Sequence, residues 1–188
     1  AFPRFSSSRS ISRFLARTEI FKKILNMHGS IIECGVCYGQ GLFTFAKLSS
    51  IFEPVNHTRK IIGFDTFEGM MDPSIEDTKT GLAENFFKGS QKGSSLEEMN
   101  DSISLYDLDR SLSHISKLKL IKGDIGITAP KYIKENPHLI ISLLYLDMDL
   151  YEPTKKAIET FLPRMHKGSI IVFDELDYES FPGETIAM

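Results

Sequence analysis

An α/β fold with a mostly parallel central sheet flanked by helices is predicted by three observations. Five short apolar runs alternate along the chain with segments of helical periodicity: SIIE (30–33), KIIGFD (60–65), LKLIKGD (118–124), LIISLLYLD (139–147) and SIIVFD (169–174). The fourth is apolar almost without interruption, which suits a central parallel strand covered on both faces. Each run closes on a carboxylate, namely Glu33, Asp65, Asp124, Asp147 and Asp174. Strands joined by helical crossovers run parallel, so these acids fall on one edge of the sheet.

The elements follow in order. Phe14, Leu15, Ile20, Phe21, Ile24 and Leu25 recur near helical spacing and predict a helix over 13–27. It ends at His28-Gly29, where glycine suits the left-handed position after a helix. Upstream, AFPRFSSSRSISRFLAR is rich in Arg and Ser and lacks acids, the composition of an organelle transit peptide. A solvated arm leading into the helix is the favoured reading. The first strand is followed by an apolar helix over 42–52 and the second strand. Residues 66–117 are too many for one crossover helix, and KGSQKGSS (88–95) reads as a flexible loop, either solvated or a lid over a ligand. After the third and fourth strands, Ala157, Ile158, Phe161, Leu162 and Met165 give one apolar face to a helix over 153–165, with Pro153 in its first turn. Only a short tail follows the fifth strand, so the C-terminal strands of a typical doubly wound sheet are expected to be missing.

Bulk properties set the class. The 188 residues suit a single domain (1–188), with an N-terminal helical segment (1–29) and an insert (72–117). Hydrophobic residues are 41% and the net charge is -3, which speaks against a nucleic-acid surface. No apolar run reaches the length of a membrane span. Two cysteines make no disulfide framework, and a reduced cytoplasmic setting is expected.

Acids at strand ends often serve as turn or cap residues. Five together, with Asp149 and Glu175 beside two of them, repel one another unless a cation or hydroxyl groups satisfy them. Ligands of open α/β sheets bind at this edge, where the strand order switches. The segment IIECGVCYGQG (31–41) supplies a turn there, with Gly35, Gly39 and Gly41 allowing close approach to the backbone. Its spacing is not the dinucleotide G-x-G-x-x-G, and a pyrophosphate would not favour excess acids. S-adenosylmethionine offers a sulfonium, an ammonium and a ribose diol, all of which suit carboxylates. Asp65 stands where a ribose-binding acid is expected. Cys34 and Cys37 have the spacing of a redox pair, but Gly39 and Gly41 would each weaken the following helix by about 1 kcal/mol. They are read as small residues packed around the turn.

ARTEIF, IIECGVCYGQG, GFDTFEGM, KGD, LYLDMDLYEPT, KGSIIVFDEL and FPGETIAM occur in that order. Together they resemble the macrocin O-methyltransferase (TylF-like) family, within the Rossmann-like class I S-adenosylmethionine-dependent methyltransferases. The resemblance implies methylation of a sugar hydroxyl on a glycoside or natural product, assisted by a divalent metal, usually magnesium. Carried over by position, Glu33, Gly35 and Gly39 shape the cofactor loop, Asp65 binds ribose with Phe64 and Thr66 nearby, and Asp124 sits by the adenine. Asp147 is implied as a cofactor neighbour and metal ligand, Asp149 as general base, and Asp174 with Glu175 completes the metal site. Many members carry two aspartates where this chain has Asp174-Glu175, and FPGETIAM stops inside what should be a helix.

If the chain stays extended through LDMD, Asp147 and Asp149 point to one side. The alternative is that Asp149 caps the helix near Pro153. Tyr151 either lines the acceptor pocket or packs, and His28 and His166 are expected at helix ends. The expected partner is a small sugar or glycoside, with no nucleic acid or membrane and with a homo-oligomer compatible. Two rival readings stay open: a cofactor-binding relative without turnover, and a nicotinamide-dependent oxidoreductase.

Overall fold

The computed structural model describes residues 2–78 and 87–188. Five parallel strands form one sheet in the order β3-β2-β1-β4-β5. They are β1 (Ser30–Cys34), β2 (Ile61–Asp65), β3 (Leu118–Lys122), β4 (Ile141–Leu146) and β5 (Met165–Phe173). The helices are α1 (Phe2–Phe5), α2 (Ser8–Ile24), α3 (Gln40–Phe52), α4 (Leu96–Leu108), α5 (Ile125–Glu135), α6 (Tyr151–Phe161) and α7 (Gly183–Ala187). β1 is central, and the connection order reverses between it and β4.

Alternation along the strands builds two cores. Ile31, Ile61, Leu143 and Tyr145 face one side with Phe21 and Ile24 of α2, Phe45 of α3, and Met99 and Tyr106 of α4. Ile32, Phe64, Leu144 and Leu146 face the other, against Ala129 and Tyr132 of α5 and Ala157 and Phe161 of α6. β1 and β4 are buried along their whole length, as an apolar run covered on both faces demands.

Several boundaries differ from the sequence expectation. The first long helix begins at Ser8, not Arg13, because Ser7 caps it by accepting the Ser10 amide. It ends at Ile24, short of Gly29. The Arg- and Ser-rich stretch therefore enters the helix instead of forming an arm. The insert carries α4, started by a capping box in which Ser95 and Glu98 bond each other's backbone amides. Its residues 79–86 lie outside the described residues. Asp124 lies beyond β3 and caps α5 by accepting the Gly126 amide. His166 lies within β5, its Nδ1 at 3.0 Å from Ser169 Oγ, and not at a helix end.

Beneath the sheet, at the edge opposite the acids, Arg59 fastens four segments. It is 2% exposed and donates to Glu53 Oε1 and Ser142 Oγ, each at 2.7 Å. It also donates to the carbonyls of Gly29, Ile24 and Met27. The guanidinium thus satisfies carbonyls left open at the end of α2 while pairing with a carboxylate at the end of α3. Arg59→Ala is expected to lower stability by about 3–5 kcal/mol, since it removes the ion-pair partner of a partly buried carboxylate and the donor to several carbonyls. Urea unfolding monitored by circular dichroism checks this, and Arg59→Lys is expected to recover only part of the loss.

Candidate active site

The carboxyl ends of the strands open into a pocket of about 740 Å³. Its floor is set by the glycine turn after β1. Gly35 adopts φ +90°, and a Cβ there would lie 1.7 Å from the Asp147 carbonyl oxygen. The turn is pinned from both neighbouring strands, because Gly35 N donates to Phe64 O and Asp147 N donates to Cys34 O. Gly39 adopts φ +76° immediately before α3. A Cβ on Gly41 would lie 2.1 Å from Glu33 Oε1, so glycine leaves room for a carboxylate beneath the helix start.

Asp65 is the template for this turn. Its Oδ2 accepts the amides of Val36 (2.7 Å) and Cys37 (2.9 Å), and its Oδ1 accepts that of Phe67 (2.6 Å). The acid expected to bind ribose is therefore first a backbone organiser, although it also lines the pocket. Cys34 is buried, Cys37 is exposed, and both are free thiols. Neither shows the environment of a redox centre, since burial pushes both thiols up instead of down.

Six carboxylates line the pocket: Glu33, Asp65, Asp147, Asp149, Asp174 and Glu175. Burial, then the charges of Asp174, Asp149 and Glu184, push Asp147 up to about 8. Burial, then Glu184 and Glu175, push Asp149 up to about 7. Glu33 is raised by burial, which Arg17 partly opposes. Asp174 is compensated on both oxygens, by the Tyr145 hydroxyl donating to Oδ1 and Arg13 Nη2 at 3.3 Å from Oδ2.

Arg17 is the least expected member. It is 3% exposed, lies over the Tyr145 ring at 5.2 Å, and donates through Nη2 to the Tyr145 hydroxyl. Among the described residues its Nε and Nη1 have no hydrogen-bond partner, nor does Glu33 Oε2. Buried charged groups rarely stay unpaired in a finished site. Both residues line the pocket, so these atoms are candidates to meet a ligand.

Other expectations are redrawn by the geometry. Asp149 has φ 63°, so the chain is not extended through LDMD, and the two aspartates do not share a side by strand alternation. Asp149 does not cap α6 either, whose N-cap is Leu150 with no side-chain bond. Asp124 is committed to capping α5, and its neighbours Gly123 and Ile125 line the pocket in its place. Phe64 lines the pocket yet is 1% exposed and packs on the rings of Tyr132 and Phe161. Thr66 also lines it, its hydroxyl donating to Gly69 O. Tyr151 is not among the lining residues; Lys155 sits over its ring. The aromatic wall is made by Tyr178 and Phe181, stacked at 5.7 Å. Gln91 and Gly93 bring the 88–95 loop to the pocket as part of its wall.

The metal expectation rests on Asp147, Asp174 and Glu175. Their oxygen donors suit a hard divalent ion, and their crowding would be relieved by one. Among the described residues, however, no three such side chains are gathered closely enough to hold an ion.

A parallel sheet with a glycine turn and an acid-lined carboxyl edge fits the class of S-adenosylmethionine-dependent methyltransferases. Residues 14–188 match the model of the macrocin O-methyltransferase (TylF) family, and the chain belongs to that family. Among solved structures, the calicheamicin methyltransferase CalS11 superposes with a TM-score of 0.93 at 35% identity, covering 99% of this chain and 72% of that one. An apo structure of CalS11, described as a TDP-rhamnose 3'-O-methyltransferase, gives 0.82 at 34% identity, covering 100% of this chain and 72% of that one. The O-methyltransferase NovP gives 0.73 at 21% identity, covering 94% and 69%, which supports the fold alone. No curated protein compared with the chain matches it.

Arg13, Arg17, Tyr145 and Glu184 were not singled out from the sequence. A signal existed for the arginines: Arg9, Arg13 and Arg17 recur every fourth residue, one face of a helix, and all three line the pocket. Tyr145 and Glu184 lie inside two of the quoted motifs, LYLDMDLYEPT and FPGETIAM, but nothing in the residues themselves gives either a role. Gly35→Ala is expected to lower the melting temperature clearly and to abolish S-adenosylmethionine binding, because its Cβ would collide with the β4 backbone at a left-handed φ. Thermal melting and calorimetry check both.

Proposed function

We propose that the chain methylates a hydroxyl group of a sugar, on a glycoside or a nucleotide-linked sugar, with Asp149 as the general base. The observation that carries this reading is the position of Asp149. It lines the pocket, caps no helix, and its carboxylate accepts no hydrogen bond among the described residues. The likeness to CalS11 supports a sugar acceptor.

When bound, S-adenosylmethionine supplies an electrophilic methyl group on a sulfonium, which departs as a neutral thioether as the acceptor oxygen forms its new O–CH₃ bond. The chain's own residues position and deprotonate the acceptor. Asp149 takes the hydroxyl proton, and water or the solvent-exposed pocket mouth later receives it. Tyr178 and Phe181 offer an aromatic wall to the sugar face. Arg17 and Glu33 suit the two ends of a zwitterionic amino acid, the unpartnered guanidinium donors facing the carboxylate and Glu33 facing the ammonium. Asp65 has lone pairs left for a ribose hydroxyl.

A divalent ion, with magnesium the best match to oxygen donors, belongs to the same reading. Asp147, Asp174 and Glu175 supply the oxygen donors; they are not gathered closely enough here to hold the ion and would have to draw together around it, where it would polarise the acceptor hydroxyl. Among the described residues no helix is long and apolar enough to cross a membrane. A cytoplasmic setting belongs to the same reading.

Asp149→Asn is expected to leave S-adenosylmethionine affinity within about twofold and to lower turnover by about 10²–10⁴-fold. Methyl release to a panel of rhamnosyl acceptors, measured beside calorimetry, checks it; unchanged turnover removes Asp149 from the mechanism. Arg17→Met is expected to weaken S-adenosylmethionine binding by about tenfold or more, through loss of a buried charge-assisted contact. For the ion, magnesium is expected to raise the melting temperature of the wild type, and Asp147→Asn to remove that rise.

A further inference from the structure

Glu184 is fully buried on α7, close to the end of the chain. Its Oε1 accepts the amides of Met148 (3.0 Å) and Asp149 (3.3 Å), and its Oε2 accepts that of Glu175 (3.2 Å). One carboxylate therefore bridges the loop after β4 and the loop after β5. These loops carry Asp147 and Asp149 on one side and Asp174 and Glu175 on the other.

Such a bridge answers two local needs. The loop after β4 holds Asp149 at φ 63°, a conformation that a non-glycine residue seldom adopts without outside support. The loop after β5 must keep Glu175 beside Asp174 despite their like charges. Charge-assisted bonds from part-buried amides to a buried carboxylate meet both needs at once. The neighbouring residue makes the approach possible: a Cβ on Gly183 would lie 2.5 Å from Tyr151 N and 2.7 Å from the Asp149 carbonyl oxygen. Asp77 completes the support by accepting the Tyr151 amide at 2.7 Å.

We infer that Glu184 is a positioning residue for methyl transfer, its carboxylate stapling the two strand-end loops so that Asp149 and Glu175 face the acceptor from fixed places. The inference rests on the proposed role of Asp149 as base. Glu184 touches no reacting atom in this scheme; it acts through the backbone of the residues that do.

The test compares wild type with Glu184→Gln and Glu184→Ala. Glutamine keeps the volume and one acceptor oxygen, but places an amide N–H₂ against one of the three donors. Hydrogen exchange is followed by peptide mass spectrometry, and methyl transfer from labelled S-adenosylmethionine is measured with TDP-rhamnose and neutral rhamnosides. In Glu184→Gln, exchange is expected to accelerate in peptides covering 147–151 and 174–177 while those covering 31–36 and 61–65 keep their protection. Turnover is expected to fall about tenfold or more with S-adenosylmethionine affinity within about twofold, and Glu184→Ala is expected to be worse on both counts. Unchanged protection at those two loops, a uniform loss over all strands, or wild-type turnover in Glu184→Gln would overturn the inference. If the wild type methylates no acceptor, the sugar reading fails, while the exchange pattern still decides whether Glu184 holds the loops.

Discussion

Like charges brought together out of water are the constraint on which this structure turns. Parallel strands that each end near an acid deliver carboxylates to one rim, and burial raises the cost of ionising them. The chain meets that cost with two kinds of partner. Backbone amides converge on Asp65 and Glu184, so these acids shape loops. Arg13 and the Tyr145 hydroxyl hold Asp174. Asp147 and Asp149 receive less, and they carry the raised affinity for protons that follows. A rim whose acids give up their protons more readily once a positive charge sits among them suits a cationic methyl donor.

Topology decides where this surface lies. The strand order reverses between β1 and β4, which leaves a crevice above their ends. The glycine turn lies in that crevice because Gly35 can pass within contact of the β4 backbone. One wall is α2, whose arginines balance part of the negative charge. Another wall is the C-terminal segment with Tyr178 and Phe181, and Glu184 of α7 supports the loops behind it. Charge and shape thus come from different parts of the chain. The acids belong to strand ends, the cations to a helix, and the aromatic wall to a loop.

The fold was legible because hydrophobic periodicity is strong where strands are buried on both faces. LIISLLYLD reads as a strand covered on both faces from its composition, and β4 is an interior strand between β1 and β5, buried along its length. The rim acids were legible for the same reason, each closing an apolar run. What each carboxylate does was not legible, because that depends on partners far along the chain. Asp65 and Asp124 look alike at strand ends, yet one gathers a loop from β1 and the other caps the next helix. The left-handed turn at Asp149 could not be read from LDMD, since the support for it comes from Glu184. Helix α2 starts earlier than its apolar pattern suggests because a serine cap, not hydrophobic spacing, fixes its beginning.

The claim beneath all of this is that the acid-lined rim selects a sulfonium donor over a phosphate-bearing dinucleotide. Titration calorimetry of the wild type with S-adenosylmethionine and, separately, with NAD tests it most directly. Saturable one-to-one binding of S-adenosylmethionine with no heat from NAD is the predicted result. Binding of NAD, or no binding of S-adenosylmethionine by folded protein, would contradict it.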